Sequence, residues 1–178
     1  MSKIGIIVEG PSDEYLLKSY YKAHYDLYVV KTKITNKDDI KNTIESMLIR
    51  FPSLVKILTL VDLDTKNPRG GQFTCCNELL EWYRQKVLKV SGKNGVPIEI
   101  VIAVKEIESW MLTNWGGNTD NKSKEDLKRK MQTVFDTKDN LTEMDMVKRF
   151  IIRSLAMNSA NNKSLKEFED KISIAKKQ

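Results

Sequence analysis

Residues 56–64 constrain the fold most strongly, because they form an apolar run rich in β-branched side chains that ends in Asp62 and Asp64. A continuous run of this kind is typical of a strand buried on both faces, as in a parallel sheet covered by helices. The two aspartates follow where the strand leaves the sheet, and open α/β sheets bind ligands at that edge. A second apolar strand, residues 4–8, ends in Glu9. Two strands that bring three carboxylates to one edge predict a metal site.

The first 104 residues alternate between strand patterns and helix patterns. Strands are predicted at residues 4–8, 27–31, 56–64 and 97–104, and helices are predicted after Ser12, after Asn36 and over residues 74–90. Because crossovers between parallel strands are right-handed, this alternation predicts a four-stranded, mainly parallel, doubly wound α/β sheet. In the strand order 2-1-3-4, the first and third strands are neighbours and a crevice opens between their carboxyl ends. Glu9 and the aspartate pair would then converge across about 4.8 Å, the spacing of adjacent strands.

Residues 116–178 contain no strand pattern and are predicted to form a helical extension. Apolar residues recur at helical spacing over 123–135, 142–156 and 164–175. Ser164 and Glu167 form a capping-box pattern, which predicts that the last helix starts at Ser164. These helices are amphipathic and too short to be stable alone. We therefore expect them to pack on a core formed by residues 1–115, within one compact unit.

Charge and hydropathy restrict the partners and the location of the protein. Thirty basic and 24 acidic residues give a net charge of +6, and the excess is denser after residue 115, with 14 basic and 10 acidic residues. This charge permits a polyanionic partner, although solvated helix faces explain many lysines equally well. No apolar run approaches the roughly 20 residues that span a bilayer, no signal-peptide pattern opens the chain, and the adjacent Cys75 and Cys76 give no disulfide framework. We therefore expect a cytoplasmic protein without a membrane segment.

Two motifs at the predicted edge resemble the Toprim domain of topoisomerases, primases and related nucleases. They are Glu9-Gly10-x-Ser12-Asp13 after the first strand and Asp62-x-Asp64 after the third. Two further segments, Glu108-x-Trp110-x-Leu112 and Ser164-Leu165-x-x-Phe168, are similar to segments of small stand-alone Toprim-like proteins. Those proteins mostly have no assigned function and are related to the Toprim part of overcoming-lysogenisation-defect nucleases.

The resemblance implies a metal-dependent reaction at phosphorus. It implies that Glu9 acts as a general acid or base or as a metal ligand, and that Asp62 and Asp64 bind Mg²⁺, for which Mn²⁺ can substitute. Carboxylate oxygens suit both ions. Two ions about 3.5–4 Å apart can stabilise the attacking and the leaving oxygen of an in-line displacement.

The third acid of many Toprim domains is missing, because position 66 is Lys66. A further metal ligand would then come from Glu108 or Glu106, and without one the site would hold a single ion or none. Lys66 and Arg69 lie on the glycine-containing loop after the acids and could contact a substrate backbone. Gly10 leaves room for the close approach of a phosphate. The resemblance thus predicts a nuclease-like activity on DNA or RNA.

Two other functions fit the sequence. The first is a Toprim-like module that binds nucleic acid or a partner, such as an ATPase, without activity of its own, and the missing third acid favours it. The second is another α/β phosphotransfer protein, such as a receiver or a phosphatase. Those proteins carry their acidic pair after the first strand, whereas Asp62 and Asp64 follow the third.

Overall fold

The positions of the helices and strands are given by a computed structural model that describes residues 2–33, 37–62, 76–86, 95–103, 106–116, 119, 124–135 and 141–177. The strands are β1 (Lys3–Val8), β2 (Leu27–Lys31), β3 (Leu54–Asp62) and β4 (Ile98–Ala103). The helices are α1 (Pro11–Leu16), α2 (Lys37–Arg50), α3 (Cys76–Lys86), α4 (Glu106–Met111), α5 (Thr113–Gly116), α6 (Lys124–Val134), α7 (Glu143–Ile152) and α8 (Lys163–Ile172). A π-helical turn, Leu17–Tyr21, continues α1.

The four strands form one parallel sheet in the order β2-β1-β3-β4, as the sequence predicts. Each strand is an apolar run with β-branched residues, which suits a sheet covered on both faces. Strand β2 lies on one side of β1, and the chain then crosses back so that β3 lies on the other side of β1. The strand order therefore reverses between β1 and β3, where the predicted crevice lies.

Helices cover both faces of the sheet, which makes it doubly wound. Alternate residues of β3 point to opposite faces. Ile57 and Val61 pack with buried residues of α2 and α3, including Ile44 and Tyr83. Leu58 and Leu60 pack on the other face with α1, α4, α6, α7 and α8.

The C-terminal helices complete the core on that second face. Phe150 of α7 and Phe168 of α8 are fully buried in the same cluster as Ile6 and Leu58 of the strands. Residues before and after position 115, where we predicted the core to end and the helical extension to begin, thus share one hydrophobic cluster. The division at residue 115 stays a prediction. None of the helices in the described part of the chain is long and apolar enough to cross a membrane.

A cluster of ionised side chains holds α8 against the sheet. The Glu99 carboxylate of β4 accepts a hydrogen bond from the Lys171 ammonium of α8 and forms a 3.0 Å ion pair with Lys56 of β3. The bond from Lys171 is the largest cause that lowers the pKa of Glu99, and Lys56 lowers it further. Burial lowers the pKa of Lys171, but the hydrogen bond and charge of Glu99, together with Glu167, outweigh it, so the pKa of Lys171 is raised.

Two helix starts differ from the sequence prediction. Helix α1 is capped by Gly10 with Pro11 as its first residue, whereas we predicted Ser12 as the cap. Proline is favoured at the first helical position because it has no N–H to leave unpaired. Helix α8 is capped by Asn162, whose side chain accepts from the Leu165 N–H, so the prediction of a start at Ser164 is also wrong.

Candidate functional site

The first part of the candidate site is the turn that joins β1 to α1. Glu9 directly follows the last residue of β1 and is exposed to solvent. The Gly10 N–H donates a 3.0 Å hydrogen bond to Oδ2 of Asp13, whose side chain is largely buried. A Cβ atom at Gly10 would lie 2.8 Å from that oxygen. The turn therefore needs glycine because the Asp13 carboxylate occupies the space that a side chain would fill.

The second part is Asp62, which is the last residue of β3 and is half-buried. It lies opposite Ala103, the last residue of β4. On the other side, Ile7 of β1 pairs with Thr59. Three residues after this pair, the chain reaches Gly10 beyond the end of β1 and Asp62 at the end of β3. Glu9, which directly precedes Gly10, and Asp62 therefore lie at the ends of neighbouring strands. By strand alternation Asp62 is on the face of Leu58 and Leu60, which the C-terminal helices cover.

The remaining predicted residues are described only in part. Asp64, Lys66 and Arg69 lie outside the described residues. Glu108 belongs to α4, and its backbone is placed, whereas its side chain is outside what the structure describes. Helix α4 begins at Glu106, three residues after β4 ends at Ala103. The backbone that carries Glu108 therefore starts at the same edge of the sheet as Glu9 and Asp62.

The donor chemistry at this edge suits a hard divalent cation. Glu9 and Asp62 supply carboxylate oxygens, which Mg²⁺ and Mn²⁺ prefer. Among the residues whose side chains are described, no group of three or more His, Cys, Asp or Glu side chains is close enough together to hold a metal ion. Asp64 and the side chain of Glu108 are not among those described. The roles of these residues in metal binding therefore stay predictions.

Comparison with protein-family models, curated proteins and solved structures finds no match to this chain. The resemblance to Toprim domains thus stays a prediction that depends on the motifs alone.

The structure adds one contact at the site that the sequence did not reveal. The Ser12 hydroxyl in the first turn of α1 donates a 3.4 Å hydrogen bond to Oε2 of Glu143, the first residue of α7. Ser12 is buried and Glu143 is exposed. The start of α7 therefore lies beside the β1–α1 turn. No pattern in the sequence indicates a contact between residues 131 positions apart.

Two segments that carry the resemblance touch each other in the core. The Trp110 Nε1–H of α4 donates a 2.9 Å hydrogen bond to Oγ of Ser164, and the rings of Trp110 and Phe168 have their centroids 5.2 Å apart. All three side chains are buried. Trp110 is therefore a packing residue of the core. The contact also explains why a serine stands inside the first turn of α8, where it accepts the indole N–H.

Proposed function

We propose that this protein is a metal-dependent phosphodiesterase that hydrolyses or transfers phosphodiester bonds of nucleic acid. The observation that carries the proposal is the adjacency of β1 and β3 where the strand order of a parallel sheet reverses, with Glu9 after one strand and Asp62 at the end of the other. Open α/β sheets bind ligands in such crevices. The acids at this edge are also the side-chain type that a phosphate-bound Mg²⁺ prefers.

The proposed roles follow from the position of each residue. Asp62 and Asp64, with Glu108 as an additional ligand, hold Mg²⁺ or Mn²⁺. Glu9, which is exposed to solvent, either binds the metal as well or takes a proton from the attacking hydroxyl or water. A bound divalent cation would neutralise charge on the phosphoryl oxygens during the displacement.

The substrate contacts in this proposal come from Gly10, Lys66 and Arg69. The Gly10 N–H already bonds to Asp13, whose carboxylate lies where a Gly10 side chain would be, so Gly10 offers a phosphate no free donor and contributes only the backbone of the β1–α1 turn. Lys66 and Arg69 follow Asp64 in the sequence and contact the phosphate backbone. Contacts of that kind give affinity without sequence specificity. The net charge of +6 supports a polyanionic substrate.

A cleavage assay with matched variants tests the proposal. Purified protein with Mg²⁺ or Mn²⁺ is incubated with supercoiled plasmid, single-stranded DNA and RNA, which also distinguishes between the substrates. We expect Glu9→Gln and Asp62→Asn each to lower kcat at least about 100-fold, the effect of removing a catalytic acid or base. Glu45→Gln is the control, because Glu45 is an exposed acid of α2 with a 3.9 Å contact to Lys41. Cleavage that persists in Glu9→Gln or Asp62→Asn contradicts the proposal.

A binding module without activity is the second candidate. It is favoured by Lys66 at the position where many Toprim domains carry their third acid. Such a module would bind nucleic acid and work with a partner such as an ATPase. Calorimetry with Mn²⁺, beside a nucleic-acid binding assay, separates the two functions. Retained nucleic-acid binding with no heat of Mn²⁺ binding would favour the module.

A further inference from the structure

Helix α4 has only six residues and depends on tertiary contacts for its orientation. Helices of this length are not stable alone. The contacts come from residues 156–162, the second part of the segment that joins α7 to α8, which we name the connector, and from Ser164 in the first turn of α8. These residues hold α4 at its middle and at its end.

Asn162 holds the middle of α4. Its side chain is 2% exposed, and its Nδ2 group donates to the Ser109 hydroxyl of α4 at 3.3 Å and to the Thr119 hydroxyl at 3.2 Å. Its Oδ1 atom accepts from the Leu165 N–H at 2.8 Å and from the Ser164 hydroxyl at 2.9 Å. One asparagine thus caps α8 and anchors α4 at the same time.

Ser164 provides the second anchor, through the indole of Trp110. The bonds run from Trp110 Nε1 to Ser164 Oγ and from the Ser164 hydroxyl to Asn162 Oδ1, all within the core. Hydrogen bonds in such a chain polarise and strengthen each other at low dielectric. Trp110, Ser164 and Asn162 are all buried, so breaking one of these hydrogen bonds would leave a buried polar atom with neither a protein partner nor water.

The connector also bonds to the first residue of α5, which in turn bonds to α4, and to the π-helical turn that continues α1. The Asn158 N–H donates to the Thr113 hydroxyl at 2.7 Å, and Thr113 in turn donates to the Trp110 carbonyl at 2.8 Å. The Met157 N–H donates to the Tyr20 hydroxyl of the π-helical turn at 2.9 Å. The connector therefore links the helices that leave β1 and β4, the two strands on either side of β3 and Asp62.

We propose that the connector and Ser164 position α4 so that Glu108 is held at the candidate site. Ser109 and Trp110, the two anchored residues, directly follow Glu108. Successive residues of a helix are related by a fixed rotation and rise, so holding Ser109 and Trp110 in place also fixes the position of the backbone at residue 108. Asn162 and Ser164 are thus positioning residues. This inference rests on the proposed function, because it assigns Glu108 to the metal site.

Two variants remove the anchors without removing the helix cap. Ser164→Ala deletes the acceptor for Trp110 and leaves Asn162 as the cap. Asn162→Ser keeps a good capping residue and deletes the donor to Ser109 and Thr119. Tyr83→Phe is the matched control, because Tyr83 is a fully buried residue of α3 on the opposite face whose hydroxyl bonds to Thr59. Glu108→Gln removes the proposed ligand itself.

Hydrogen exchange, Mn²⁺ titration and steady-state kinetics are measured on each protein. In Ser164→Ala and Asn162→Ser we expect several-fold faster exchange of the α4 amides, about 10-fold weaker Mn²⁺ binding, and a lower kcat with an unchanged KM. Tyr83→Phe should lower the melting temperature and leave α4 exchange, Mn²⁺ affinity and kcat as in the wild type. Glu108→Gln should weaken Mn²⁺ binding without changing α4 exchange.

The outcomes separate this inference from the proposed function. If the wild type cleaves nucleic acid and Glu9→Gln does not, but both anchor variants keep wild-type Mn²⁺ affinity, the positioning role is overturned and the function stands. An equal effect of Tyr83→Phe on Mn²⁺ affinity also overturns it. If the wild type neither binds Mn²⁺ nor cleaves, the proposed function fails and the assignment of Glu108 fails with it.

Discussion

Replacing Gly10 by alanine should destabilise the protein through its effect on Asp13. The backbone of Gly10 has φ −97° and ψ 153°, which alanine adopts without strain. The cost therefore comes from the Cβ atom, which would lie 2.8 Å from Asp13 Oδ2 and displace a carboxylate that is 9% exposed. Displacement breaks the hydrogen bond from the Gly10 N–H, and a bond to a charged group contributes about 1.5–3 kcal/mol. We expect the free energy of unfolding to fall by about 2 kcal/mol.

A double-mutant cycle measured by urea unfolding tests this reasoning. Asp13→Ala removes the carboxylate that the new methyl group would strike, so Gly10→Ala should cost less than about 0.5 kcal/mol in that background. The coupling between the two positions would then be about 1.5 kcal/mol. An equal cost of Gly10→Ala in both backgrounds would refute the argument, because it would place the cost in the backbone.

Two further predictions concern the sheet. Glu99→Gln should cost about 1 kcal/mol at pH 7, since its carboxylate is 32% exposed and solvent screens part of the attraction to Lys56 and Lys171. Because hydrogen bonding lowers the pKa of Glu99 below 4.5, the wild-type advantage should be complete above that pH and disappear as the pH falls through the lowered pKa. A difference in stability that stays constant from pH 7 to pH 2 would contradict this. Gly5→Ala should cost about 1 kcal/mol by overpacking, because its Cβ would collide with the buried Cε of Met47, the end of a flexible side chain that can shift in part, and Met47→Leu should recover part of the loss in urea unfolding.

The strands and their order could be predicted because the signals are local. Each strand is mostly apolar and rich in β-branched residues, although Lys56 interrupts β3 and Glu99 interrupts β4. Glu9 follows the end of β1 and Asp62 ends β3, so their placement on neighbouring strands followed once the doubly wound order 2-1-3-4 was adopted, and the sheet has that order. That part of the candidate site required no knowledge of tertiary contacts.

The helix starts and the long-range contacts could not be predicted in the same way. Ser164 fits a capping pattern as well as Asn162 does. In the structure Asn162 caps α8, and the Ser164 hydroxyl instead accepts a hydrogen bond from Trp110, which is 54 residues away in the sequence. Pro11 carried a local signal for the start of α1 that outweighs Ser12. The contact of Ser12 with Glu143 depends on how α7 packs against α1, which no periodicity encodes.

The residues that cover the two faces of the sheet are synthesised at different times. Among the residues that the structure describes, all members of the cluster under α2 and α3 have been made by residue 102, whereas the last member of the opposite cluster is Ala175. Ribosomes add about 5–20 residues per second, so roughly 4–15 s separate the two events. During that interval Leu16, Leu17 and their neighbours have no cover from α8. The nascent sheet is therefore covered by helices on the face of α2 and α3 and still partly exposed on the opposite face. We expect chaperones to bind the exposed apolar face.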